Sequence, residues 1–169
     1  IKNPIFSNSF EWRFEFPEVL NENGDFIGFD VIIANPPYVV MIKSLFGESV
    51  LEYINEQYST AEYNPNTYTL FTELAIQKLL KQNGGFALII PNSWLDGKYF
   101  TKMRSLIDSL SVHHIVNLKN EAFEEIVETV IIIGSRTSKL NSPLLKRYFQ
   151  EDFIDFDASY QSGINPFNR

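Results

Sequence analysis

The chain has 169 residues, of which 44% are hydrophobic, enough to bury a single core and to make one compact domain or a large piece of one. Its 21 acidic and 14 basic side chains leave a net charge of −7, so a polyanion partner needs a local basic patch or chain outside this stretch. The absence of cysteine excludes disulfide frameworks and Cys-ligated metal sites and fits a reducing, cytoplasmic setting, and no run reaches the ~20 apolar residues of a membrane helix, so no membrane partner is expected.

The chain opens Ile1-Lys2-Asn3-Pro4, with no start methionine and no signal pattern, and reads as beginning inside a longer protein. Residues 10–19 alternate Phe10, Trp12, Phe14 and Phe16 with polar neighbours up to Pro17, which predicts an amphipathic strand or extended arm. Residues 21–25 form a turn. The β-branched run Phe29 to Ala34 predicts a strand buried on both faces at the centre of a sheet. Residues 41–60 have helical spacing broken at Gly47, and residues 67–82 repeat apolar side chains at i, i+3 and i+4. Asn83-Gly84-Gly85 is expected to close that second helix. A strand over 86–90 completes a parallel crossover, and a helix over 100–110 follows. Strands are expected at 114–118 and 129–133, joined by a short acidic connection. This alternation is that of an α/β layered fold.

The residues best suited to chemistry follow the first predicted strand. Ligands of open α/β sheets sit beyond the C-terminal strand ends, and Asn35-Pro36-Pro37-Tyr38 occupies that place. Two prolines stiffen the segment and remove two donors, leaving carbonyl acceptors outside the sheet. The Asn35 carboxamide oxygen and the Pro36 carbonyl can accept two hydrogen bonds from an NH2 group, and the Tyr38 ring can lie on a planar base. His113 and His114 are adjacent and point to opposite faces of a strand, so no metal site is expected. The acidic cluster of Glu121, Glu124, Glu125 and Glu128 reads as a solvated surface. Lys98, Lys102 and Arg104 form a basic cluster that suits either phosphate contact or a solvated helix face.

The run Phe29 to Tyr38 resembles the catalytic motif of adenine-specific DNA methyltransferases of type II restriction–modification systems, in particular those that join methylase and nuclease in one polypeptide. Residues 14–19, 84–94 and 123–133 are similar to further segments of the same family in the same order, so the resemblance covers roughly residues 10–136. It implies the C-terminal half of a Rossmann-like, S-adenosylmethionine-dependent methyltransferase fold: a mixed sheet with helices on both faces, the Asn35 strand central and the strand at 129–135 antiparallel. It implies as well that an adenine flipped out of double-stranded DNA gives its exocyclic amine to Asn35 and Pro36, with Pro37 stiffening the loop. Tyr38 would stack on the base, Phe123 would meet its edge or opposite side, and the methyl group would come from S-adenosyl-L-methionine.

The family's Gly-rich turn and acidic strand end for the cofactor do not occur in the 34 residues before Asn35. Cofactor contact is therefore assigned only to Tyr68 and Phe71, with core packing the competing role for Phe71. Residues 1–138 are expected to be a partial catalytic domain lacking the cofactor half, and 139–169 an extension or linker toward a DNA-recognition domain. The alternatives are an RNA-adenine or protein-glutamine methyltransferase and a non-catalytic α/β module for DNA or partner subunits. Burial of Asn35 away from any pocket would favour the module.

Overall fold

The computed structural model describes residues 10, 12–119, 127–138, 141–149, 152–156 and 158–167. The expected N-terminal strand is instead two short helical turns, α1 (Trp12–Glu15) and a 3-10 turn (Pro17–Val19). Pro17 explains the difference, because a residue with fixed φ and no N–H starts a helical turn more readily than it continues a ladder. Phe16 meets Phe29 edge-on, with ring centroids 5.6 Å apart, which ties this segment to the first strand. The predicted turn is present: the Asn21 side-chain oxygen accepts from the backbone N–H groups of Asn23 and Asp25, both at 2.9 Å.

Strand β1 (Phe29–Ala34) follows Gly28, which sits at φ +87° with its α-carbon against the neighbouring strand; a Cβ there would lie 2.6 Å from the Leu79 carbonyl oxygen. Helices α2 (Lys43–Phe46) and α3 (Glu48–Gln57) flank the predicted break at Gly47, and α4 (Thr67–Glu73) runs on as a π-helix over Leu74–Leu79. The helix ends at Leu79, three residues short of expectation, because Leu80 already belongs to β2 (Leu80–Pro91). Asn83, at φ +67°, and its two glycines do not cap a helix. They absorb a slip in the parallel β1–β2 pairing, where Phe29 faces Leu80 but Val31 faces Gly85.

Beyond a 3-10 turn (Asn92–Trp94) and α5 (Thr101–Asp108) come β3 (Leu110–Lys119) and β4 (Thr129–Ser138), longer than the runs predicted for them. The sheet order is β1-β2-β4-β3, followed by β5 (Leu144–Phe149) and β6 (Asp152–Asp155). β4 is antiparallel to both β2 and β3, as the resemblance implied. Its Val130 and Ile132 are fully buried, and Gly134 passes so close to β3 that a Cβ would lie 2.7 Å from the Ser111 carbonyl oxygen.

Two expectations fail for β1. It lies at the end of the strand order rather than its centre, and Val31 and Ile33 are 61% and 79% exposed, so it is not buried on both faces. Its β-branched run has the composition of an inner strand, while the described chain pairs it only with β2. The sheet also runs across residue 138: β5 pairs in parallel with β3, and Leu145 and Phe167 belong to the same core as Leu88, Ile90 and Ile132. Among the described residues no helix is long and apolar enough to cross a membrane.

Candidate active site

Asn35 directly follows β1 and is exposed, whereas Pro36 beside it is buried and anchors the turn. The Tyr38 hydroxyl lies 2.6 Å from the Asn35 carboxamide oxygen and 3.0 Å from the Ile89 carbonyl of β2. With its proton on the Asn35 oxygen, the Tyr38 hydroxyl holds the carboxamide in one orientation. Thr67 holds the other side of the loop. Its hydroxyl donates to the Pro37 carbonyl and accepts from the Val39 N–H, while its own N–H donates to the Val39 carbonyl at 2.8 Å. Met41 donates to the Pro65 carbonyl at 2.8 Å. The loop after β1 is thus fastened to the start of α4 through four hydrogen bonds, which keeps Asn35 and Tyr38 in fixed relation.

Behind the loop is an aromatic stack. Tyr38 meets Tyr68 edge-on at 6.2 Å, and Tyr68 stacks on Phe100 at 6.0 Å. Tyr68 is completely buried; burial drives its phenol far above the ordinary value, against a smaller opposing pull from the Ser93 hydroxyl at 3.3 Å, so it stays neutral. That group takes no part in accepting protons. Glu73, one turn further along α4, is buried as well and accepts from the backbone N–H groups of Ser59 and Thr60 at 3.0 and 2.7 Å. Burial pushes its carboxyl up, but these hydrogen bonds outweigh that and hold it below 4.5, so it remains charged near neutrality and clamps the turn before Ala61.

The two residues assigned to the cofactor differ. Tyr68 is enclosed and offers no free ring face, whereas Phe71 is 48% exposed, so its ring is not packed in the core. Helical spacing misplaced Phe71 because α4 buries its polar face as well: Thr69, Thr72 and Glu73 are all inside, each with hydrogen-bond partners. Phe123 lies outside the described residues, as do Glu121, Glu124 and Glu125. Glu128 accepts from the Asn92 side chain at 2.8 Å, fastening the end of β2 to the start of β4. Arg104 is spent on structure: its guanidinium donates to the carbonyls of Trp94 and Gly97, both at 2.8 Å.

Missed by sequence reasoning is a second aromatic pair, Tyr63 and Tyr99, whose rings stack at 4.6 Å and 16°. The two lie 36 positions apart, so spacing alone carried no signal for them. Exposure of Asn35 removes the condition that favoured a non-catalytic module.

The chain is similar in sequence and in fold to known proteins. The chain is 26% identical over 128 residues to the type II methyltransferase M.BstVI of Geobacillus stearothermophilus, covering 74% of this chain and 22% of that protein. It is 29% identical over 128 residues to a putative type II restriction enzyme and methyltransferase of Methanocaldococcus jannaschii, covering 73% of this chain and 10% of that protein. Among solved structures, a putative class I S-adenosylmethionine-dependent methyltransferase from Listeria monocytogenes superposes with a TM-score of 0.56 at 17% identity, over 71% of this chain and 36% of that one. The type IIG restriction endonuclease BpuSI superposes with a TM-score of 0.55 at 22% identity, over 72% and 15%. These likenesses establish the fold as that of class I methyltransferases. The sequence match that runs from residue 2 to residue 123, through the Asn35 loop and the aromatic stack behind it, makes the chain a member of the Eco57I restriction-modification methylase family.

Proposed function

We propose that this chain forms the substrate-binding part of an adenine-specific DNA methyltransferase of a restriction–modification system. The observation that carries the reading is the exposed Asn35 carboxamide at the C-terminal end of β1, its oxygen oriented by the Tyr38 hydroxyl at 2.6 Å. Family membership supports a restriction-modification methylase, and similarity to an adenine-specific methyltransferase of Lacticaseibacillus casei supports adenine as the base modified.

In this reading the Asn35 oxygen and the Pro36 carbonyl accept hydrogen bonds from the exocyclic amine of a flipped adenine and aim its lone pair away from the loop. Pro37 keeps that loop stiff. Tyr38 supplies a ring for the base to stack on, and Phe123 is the residue that would meet the base's edge or opposite side. S-adenosyl-L-methionine, when bound, supplies the methyl group, with Phe71 against its adenosyl end. Catalysis then comes from positioning rather than from a general base. The remaining cofactor site and the DNA-recognition domain belong to other parts of the same cytoplasmic polypeptide. The chain's coverage of only 22% and 10% of its relatives supports this.

In the whole polypeptide that carries this chain, Asn35→Ala is expected to abolish transfer of labelled methyl groups to plasmid DNA while the melting temperature stays unchanged. Wild-type transfer by the variant would remove Asn35 from the mechanism.

A further inference from the structure

Tyr63 is held in a backbone conformation that bulky residues avoid, at φ +54°. The surroundings enforce it. Glu62 accepts from the backbone N–H of Lys102 at 2.7 Å, the Glu62 N–H donates to the Thr60 carbonyl at 3.0 Å, and Thr60 is itself gripped by Glu73. The result is an aromatic ring lifted out of the loop and laid on Tyr99. With one face on Tyr99 and 73% of its surface still accessible, the opposite face of Tyr63 is open. Tyr99 is 47% exposed and has the Lys98 ammonium 5.3 Å from its ring centre. The pair borders a pocket of about 110 Å³ that Asn64, Asn66 and Phe100 also line. Phe100 is the ring on which Tyr68 stacks behind Tyr38, and Pro65 accepts from Met41, so pair and Asn35 loop are joined by packed residues on both sides.

A strained, solvent-facing ring stacked on a second ring, beside a cation, has the chemistry of a nucleobase platform: a planar face for the base and an ammonium for the adjoining phosphate. We propose that Tyr63 and Tyr99, with Lys98, form a second stacking platform that takes a nucleobase of the DNA strand whose adenine enters the Asn35 site. The inference rests on the DNA-methyltransferase reading above and adds a DNA contact to it.

The test uses the whole polypeptide, plasmid DNA as methyl acceptor, and a single-stranded oligodeoxynucleotide carrying 2-aminopurine as stacking reporter. Tyr63→Ala and Tyr99→Ala are each expected to raise KM for plasmid DNA about tenfold, within the range of losing one base–aromatic stack, and to leave kcat within about a factor of two. The same variants should lose the quenching of 2-aminopurine fluorescence that the unaltered protein produces. Tyr63→Phe and Tyr99→Phe, which keep the ring, should retain both behaviours. Unchanged KM and quenching in the alanine variants would overturn the platform. So would a KM rise accompanied by a fall in Tm, which would make the pair a packing device, or loss of subunit association with DNA affinity intact, which would make it a protein contact. Failure of the underlying reading looks different: the unaltered protein then transfers no methyl group to DNA, and the platform falls with it.

Discussion

The Tyr38 hydroxyl has one proton and two acceptors within reach, the Asn35 oxygen at 2.6 Å and the Ile89 carbonyl at 3.0 Å. When it donates to the Asn35 oxygen, it restrains the carboxamide on which the proposed chemistry depends. Tyr38→Phe keeps the ring and removes the restraint, so kcat for methyl transfer should fall about two- to tenfold, the equivalent of one hydrogen bond of ~0.5–1.5 kcal/mol, while KM for DNA stays level. A rise in kcat would show that the hydroxyl competes with the substrate amine for the Asn35 oxygen. This part of the site was legible because it is contiguous: four neighbouring residues after an apolar run define both the stiffness and the acceptors. Tyr63, Tyr99 and Glu73 were not, since each acquires its role from a partner thirteen or more positions away that only the fold brings near.

Among the elements, α4 bears most directly on the site, because it fastens the loop after β1 at one end and the turn at Ser59 and Thr60 at the other. Glu73 makes the second attachment from inside the protein. Glu73→Gln replaces one acceptor oxygen by a donor and leaves a buried N–H without its partner, so unfolding in urea should show a loss of about 1–3 kcal/mol at neutral pH. The folded carboxyl titrates below its ordinary value of 4.5, so the unfolded chain takes up the proton first as pH falls. The contribution of Glu73 is therefore complete above that value and is lost as pH drops through the folded one, and the gap between wild type and Glu73→Gln should close over the same interval. A gap independent of pH would mean that the carboxylate charge is irrelevant to the clamp. Element types were readable from periodicity for β1, α3, α5, β3 and β4. For α4 periodicity gave the helix but misplaced its buried face, because polar residues there are buried with partners, and it misread Asn83 and its glycines, which serve a strand irregularity instead of a helix end.

At the scale of the whole molecule, composition placed β1 in the middle of a sheet, and the described strand order places it at the end. The discrepancy is physical rather than a misreading of strand type: Val31 and Ile33 carry an apolar face, and the described residues leave it 61% and 79% exposed. Strand order has a further consequence, for the time course of synthesis. β4 stands between β2 and β3 yet follows both in the chain, so a ribosome delivers two strands that must wait for the third to join them. Until residue 138 has emerged, the facing edges of β2 and β3 carry unpaired backbone groups, and the side chains that close over Leu88 and Ile115 have not arrived. A chain stopped after Lys119 should accordingly be degraded rapidly in limited proteolysis. One that includes β4 should yield a protected core, and equal resistance of the two would show that β2 and β3 find another partner first.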